Sequence, residues 1–137
     1  MEADPQPAVI AIDPGSEKCG VAVVRRDGVV AYRAIVPTAG LTPSVAELAT
    51  KYRPAQILCG RGTGSKSIIR ALEDAGLEAP ILPVDEAYTS EEARRRYVAE
   101  HPPHGLERLL PKSLRTPNVP YDDYVAVILA ERYWRGT

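Results

Sequence analysis

Apolar residues run almost unbroken from Ala8 to Ile12, and again through Gly20-Val21-Ala22-Val23-Val24. Short apolar runs bounded by turn formers are the mark of buried strands. The first run ends in Asp13-Pro14-Gly15, so it delivers one carboxylate where the chain turns away. The second ends in Arg25-Arg26-Asp27-Gly28, and its Asp-Gly pair predicts a tight two-residue hairpin connection. Val29 to Val36 then completes an antiparallel meander of three strands.

The spacing changes after that. Val45, Leu48, Ala49 and Tyr52 recur with helical period behind Thr42-Pro43, which predicts Thr42 as the cap and Pro43 as the first helical residue. Pro54 ends this helix. Gln56 to Cys59 reads as a fourth strand, and the loop Gly60 to Lys66 leads into a second helix with Ile68, Ile69, Leu72 and Ala75 on one face and Gly76 as its stop. Pro80 to Val84 is a fifth strand, and a proline at the start of the run with another inside it predicts a sheet edge. Thr89 to Glu100 forms a third helix, with Thr89 and Glu92 at capping-box spacing. Tyr121 to Trp134 forms the last, with Val125, Ile128, Leu129 and Trp134 at helical spacing. Between them, residues 101–120 hold five prolines and both histidines, His101 and His104. That segment predicts a long loop with at most a short helical turn around Leu106 to Leu110. The expected architecture is α/β: a mixed five-stranded sheet, three antiparallel strands followed by parallel crossovers, with helices on both faces.

Composition bounds this picture without sharpening it. The chain has 137 residues, 45% of them apolar and 26% charged, as expected of one globular domain over 8–137 behind a frayed tail at 1–7. No apolar run is long enough for a membrane span, and the acidic, proline-bearing start does not resemble a signal peptide. A cytoplasmic protein is expected. Cys19 and Cys59 fall at strand ends and read as buried thiols. A net charge of −1 offers no global attraction to nucleic acid, so such a partner needs a local basic patch.

Carboxylates stand at three element boundaries: Asp13 after the first strand, Glu86 after the fifth, and Asp122 and Asp123 at the start of the last helix. If strands one, four and five run parallel, Asp13 and Glu86 share the sheet edge where ligands of open α/β sheets bind. Hard oxygen donors without cysteine or histidine suit Mg²⁺ or Mn²⁺, and two such ions support phosphodiester cleavage. Each residue also has a plain reading: a turn aspartate, a solvated glutamate, or acids at the positive end of a helix. The loop Gly60-Arg61-Gly62-Thr63-Gly64-Ser65-Lys66-Ser67 nearly spells a P-loop, but Ser65 occupies a required glycine position and the preceding strand is not the opening one. A glycine-rich turn whose amides, with Lys66, hold a nucleic-acid phosphate fits better. Basic residues crowd one region: Arg94, Arg95, Arg96, Arg108, Lys112 and Arg115 face only Glu100 and Glu107. A phosphate-backbone clamp and a solvated helix face both fit that run.

Three segments carry a resemblance. Ile12-Asp13-Pro14-Gly15-Ser16-Glu17-Lys18-Cys19-Gly20-Val21-Ala22 resembles the opening motif of the YqgF family, also called RuvX, whose members are described as Holliday junction resolvases or pre-16S rRNA nucleases. Val84-Asp85-Glu86-Ala87-Tyr88-Thr89-Ser90 resembles that family's Asp-Glu-Arg-x-Thr-Thr segment, with Ala87 in place of the arginine and Ser90 in place of the second threonine. Asp122-Asp123-Tyr124-Val125-Ala126-Val127-Ile128-Leu129 resembles its C-terminal helix motif. The likeness spans roughly residues 8–135 with the motifs in order. It implies a ribonuclease H-like fold and a nuclease dependent on Mg²⁺ or Mn²⁺, two ions being expected. Asp13, Glu86 and Asp122 become the metal ligands, with Asp123 the alternative to Asp122. Apart from the resemblance, the local basic groups Lys18, Arg61, Lys66, Arg94, Arg95, Arg96, Lys112 and Arg115 are the expected contacts to DNA or RNA. Ala87 keeps open a second reading, a catalytically silent nucleic-acid-binding module of the same fold. An actin-like phosphotransferase shares the Asp-x-Gly opening, but 137 residues leave no room for the second domain it needs. Tyr121, Tyr124 and Trp134 suit a core or an interface, so monomer and homodimer are both compatible with the sequence.

Overall fold

The two apolar runs lie side by side at the centre of one sheet. The computed structural model describes residues 7–62, 64–85, 89–100 and 122–136. Its elements are β1 (Ala8–Asp13), β2 (Lys18–Arg25), β3 (Val30–Pro37), α1 (Leu41–Tyr52), β4 (Gln56–Gly60), α2 (Ser65–Asp74), β5 (Ile81–Val84), α3 (Thr89–Glu100) and α4 (Asp122–Arg135). The strand order is β3-β2-β1-β4-β5. β1 is antiparallel to β2 and parallel to β4, and β4 is parallel to β5. β5, which carries Pro83 and follows Pro80, lies at the edge as its prolines predict.

β1 is central because both of its faces are covered. Ile10, Ile12, Val21, Val23 and Ile57 pack with Leu41, Val45 and Leu48 of α1 and with Ile68 and Leu72 of α2. Val9, Ala11, Ala22, Val24 and Leu58 pack with α4 and with Ala93 of α3. Val9 to Ile12 have no exposed surface, and each large aliphatic side chain buried in this way contributes about 1.5–3 kcal/mol. Cys19 and Cys59 are buried, as expected, and neither is in a disulfide.

α4 is more deeply buried than its spacing predicts. Every residue from Tyr124 to Ala130 is buried, because a helix apolar on all sides must be covered on all sides. The sheet covers one side and α3 the other. Arg96 Nη1 stands 2.7 Å from Glu131 Oε1, and Arg132 Nη2 stands 3.7 Å from Glu92 Oε2, so two ion pairs tie α3 to α4. No helix among the described residues is long and apolar enough to cross a membrane.

Two local expectations are corrected. α1 begins at Leu41, not after Thr42, because a 3-10 turn over Thr38–Gly40 leads directly into it. Thr42 is therefore inside the helix, and Pro43 sits in its first turn, where an N–H would have no intrahelical partner. The β2–β3 connection spans residues 26–29, and the turn inside it has three residues, 26–28, instead of two. Arg25 N–H donates to the Val29 carbonyl and Gly28 N–H donates to the Arg25 carbonyl, with Gly28 at φ 91°. A turn closed by a left-handed glycine makes a three-residue hairpin loop. Glu86, Ala87, the tail before Pro7 and the 101–120 segment, with His101, His104, Arg108, Lys112 and Arg115, lie outside the described residues.

Candidate functional site

Strand alternation decides which way the end of β1 faces. Val9 and Ala11 belong to the core beneath α4, whereas Ile10 and Ile12 belong to the core beneath α1 and α2. Asp13 continues the first set, so its half-buried side chain lies on the α4 face at the carboxyl end of β1. In β2, Cys19 belongs to the opposite face, which places exposed Lys18 on the face of Asp13. Asp13 pairs with Gly20 on β2. On β4, the register of Ile12 with Cys59 brings Gly60 alongside it. The residue directly opposite Asp13 is therefore glycine on both neighbouring strands.

α4 arrives at the same edge. Near its end, Trp134 Nε1 donates to the Val24 carbonyl at 3.0 Å, and Val24 pairs with Val9 at the start of β1. The helix therefore runs opposite to β1. From Trp134 back to Asp122 is about 18 Å at 1.5 Å per residue, enough to carry the start of α4 past the roughly 13 Å from Val9 to Asp13. Asp122 and Asp123 thus open the helix at the Asp13 edge.

The two differ in how they are held. Asp123 Oδ1 accepts from its neighbour's amide, Tyr124 N, at 3.0 Å, and Oδ2 lies 3.3 Å from Arg33 Nε on β3. Arg33 also lies over the Tyr124 ring, 4.4 Å from its centre. One guanidinium therefore pins the first turn of α4 to the sheet. Replacing Arg33 by alanine removes a partly exposed ion pair and a cation–π contact, together worth about 1 kcal/mol. A melting temperature lower by roughly 3–5 °C is expected; an unchanged thermal melt would mean that the pair contributes nothing.

β4 is parallel to β1, so the Gly60–Gly64 connection and the start of α2 open at this edge too. Arg61 N–H donates to the Val84 carbonyl at 3.1 Å, which lashes the loop to the end of β5. Gly64, at φ 77°, is the residue before α2; that left-handed conformation favours glycine. Arg61 and Lys66 are exposed. The edge therefore gathers Asp13, Lys18, Arg61, Lys66 and the start of α4. Arg94 and Arg95 are exposed on α3, while Arg96 is engaged with Glu131.

Among the described residues, no three acidic, imidazole or thiol groups converge to hold a metal. The donor chemistry nevertheless fits a hard cation. Asp13 offers oxygen, and Cys19 and Cys59 both lie on the other face of the sheet, so no soft donor competes beside it among the described residues.

Two residues of this edge carry no signal as motifs. Arg33 sits in a strand of otherwise apolar and small residues, and only its alternation with the buried positions shows that it faces α4. Thr38 follows the end of β3 with nothing in the surrounding sequence to connect it to the turn after Asp13, although its hydroxyl reaches that turn.

No model of a known protein family matches the chain, and no curated protein matches it. Among solved structures, it is similar to RuvC of Thermus thermophilus in complex with a Holliday junction substrate, at a TM-score of 0.59 and 17% identity over 96% of both chains. A further structure of Thermus thermophilus RuvC is similar at a TM-score of 0.57 and 18% identity, over 95% of this chain and 97% of that one. With the strand order and the helices on both faces, these likenesses give the chain a ribonuclease H-like fold.

Proposed function

We propose that this protein is a divalent-metal-dependent nuclease that hydrolyses phosphodiester bonds of structured nucleic acid, either branched DNA in the manner of a junction resolvase or precursor ribosomal RNA. The observation that carries this reading is the placement of Asp13. It is a single half-buried carboxylate at the carboxyl end of the central strand, with glycine on both neighbouring strands and the start of α4 at the same edge. The shared fold with a protein solved on a Holliday junction supports it.

In this reading Asp13, Glu86 and Asp122 hold Mg²⁺ or Mn²⁺. Glu86 follows Val84 by two residues, and Val84 packs on the α4 face. Asp122 is preferred to Asp123 because both oxygens of Asp123 are already occupied by Arg33 and the Tyr124 amide. Mg²⁺ or Mn²⁺ held by these carboxylates would supply Lewis-acid stabilisation of the phosphoryl oxygens. The protein supplies position. Lys18 on the Asp13 face, Arg61 and Lys66 beside the α2 N-terminus, and Arg94 and Arg95 on α3 attract the phosphate backbone, with Lys112 and Arg115 as further contacts. Arg96 has a structural partner in Glu131.

The test is a cleavage assay on a four-way DNA junction and on structured RNA with Mn²⁺, for the wild type beside Asp13→Asn. Binding without cleavage by the wild type would favour the silent nucleic-acid-binding module. The absence of both binding and cleavage would remove the proposal. The basic edge has its own prediction. Replacing Arg61 and Lys66 together by glutamine should lower the slope of log affinity against log salt by about 2, roughly 1 for each phosphate deprived of its cationic side chain. Fluorescence anisotropy with a labelled junction, over about 50 to 200 mM salt, reads that slope directly.

A further inference from the structure

Thr38, the residue after β3, holds the turn that follows Asp13 at two points. Thr38 begins the 3-10 turn after β3, and its Oγ1 donates to the Gly15 carbonyl at 2.8 Å. Its backbone N–H donates to the Glu17 carbonyl at 2.9 Å. One step earlier, Pro37 pairs with Lys18, so Thr38 extends the β2–β3 ladder into the β1–β2 turn. Cys19 Sγ lies 3.3 Å from Thr38 Oγ1. The Cys19 thiol also donates to the Gly15 carbonyl, at 3.9 Å. Thiol, hydroxyl and carbonyl thus meet where the buried side of β2 joins the turn.

The turn itself has little freedom to absorb a change. A Cβ on Gly15 would stand 2.2 Å from the Lys18 carbonyl oxygen, so the backbone at Gly15 is pressed against the end of its own turn. Between Asp13 and Gly15 lies only Pro14, whose ring fixes φ and which is buried. Few free backbone torsions therefore separate the Gly15 carbonyl from Asp13.

We propose that Thr38 is a positioning residue for Asp13: by holding the carbonyls of Gly15 and Glu17, it sets where the Asp13 carboxylate stands at the sheet edge. This rests on the nuclease reading above for its consequence, but not for its geometry. Displacement of a reacting group by about 1 Å can cost about 100-fold in rate, so a hydrogen bond two residues away has leverage on the chemistry.

Thr38→Val keeps the shape and the backbone N–H but removes the hydroxyl, whereas Thr38→Ser restores it. Three readouts are taken on both variants and on the wild type: the rate at which Cys19 is alkylated in the native protein, with buried Cys59 as the internal reference; Mn²⁺ affinity from the spin-resonance signal of the free ion; and kcat and KM for junction cleavage. For Thr38→Val, Cys19 alkylation should rise at least about 10-fold relative to Cys59, kcat should fall by about 10- to 100-fold with KM within about twofold, and Mn²⁺ should bind more weakly. Thr38→Ser should stay close to wild type in all three.

An unchanged ratio of Cys19 to Cys59 alkylation would overturn the clamp. So would parallel acceleration of both thiols, which reports global loosening. Faster Cys19 alkylation with unchanged kcat and Mn²⁺ affinity would overturn the link to Asp13, as would a serine variant as defective as the valine one. If the wild type neither binds Mn²⁺ nor cleaves, the nuclease reading fails by itself, and the alkylation ratio still decides whether Thr38 holds the turn.

Discussion

Asp13→Asn is expected to lower Mn²⁺-dependent cleavage by at least about 1,000-fold, some 4 kcal/mol of transition-state stabilisation. The reason is charge. Asparagine keeps the size of the side chain and one oxygen, but it is neutral and a weaker partner for a hard cation. Nucleic-acid binding should change by less than about threefold, because the basic groups that attract phosphate are elsewhere, on Lys18, Arg61 and Lys66. The fold should persist too. The backbone of Asp13 keeps its pairing with Gly20, and the buried residues of β1 are untouched. A gel assay of junction cleavage, an anisotropy titration without metal and a thermal melt separate these outcomes. Cleavage within tenfold of wild type would remove Asp13 from the mechanism, and loss of binding in step with cleavage would make it a binding residue.

What the sequence reveals of this fold follows from how locally each signal is written. β1, β2 and β4 are legible because covered strands need unbroken apolar runs, and β5 is legible as an edge because Pro80 and Pro83 are tolerated only where the ladder can spare them. The start of α1 is not legible: Thr42-Pro43 has the form of a cap, but the 3-10 turn at Thr38–Gly40 starts the helix earlier. α4 shows its helical spacing but not its full burial, since the partner that covers its outer side, α3, carries arginines that read as solvated. Arg96 becomes part of that packing only through Glu131, 35 residues away.

The candidate site divides along the same line. Asp13, Lys18, Arg61 and Lys66 are recognisable because each sits in or beside a turn between two patterned elements. Arg33 and Thr38 are not, because their meaning lies in contacts across the sheet. Thr38 reaches Gly15 across 23 residues, and no spacing rule joins a threonine after one strand to a glycine after another. Asp122 and Asp123 cannot be told apart by sequence either; only the guanidinium of Arg33 on β3 shows that Asp123 is committed to holding the helix.

Gly15→Ala should be far more damaging than a methyl added at Gly28, Gly40, Gly64, Gly76 or Gly136. In most turns an added methyl meets solvent, and at Gly28, Gly40, Gly64, Gly76 and Gly136 nothing lies within 4 Å of a built Cβ. At Gly15 the obstacle is the Lys18 carbonyl oxygen at 2.2 Å. That atom is backbone, so no side-chain rotation relieves the clash. The turn must open, and opening it strains the Thr38 hydrogen bond to the Gly15 carbonyl and the pairing of Lys18 with Pro37. Such forced overpacking typically costs about 1–3 kcal/mol, so the melting temperature should fall by roughly 4–12 °C. Cleavage should fall by more than about 100-fold even well below the melting point, because the displaced segment carries Asp13 at one end and Lys18 at the other. Gly28→Ala is the control: its φ of 91° gives alanine a conformational penalty of about 1 kcal/mol, but it lies at the far end of β2 from the site. It should lose some stability and keep its rate. If Gly15→Ala matched Gly28→Ala in both melt and rate, the tight turn would not be what fixes Asp13, and the support of the carboxylate would have to come from α4 instead.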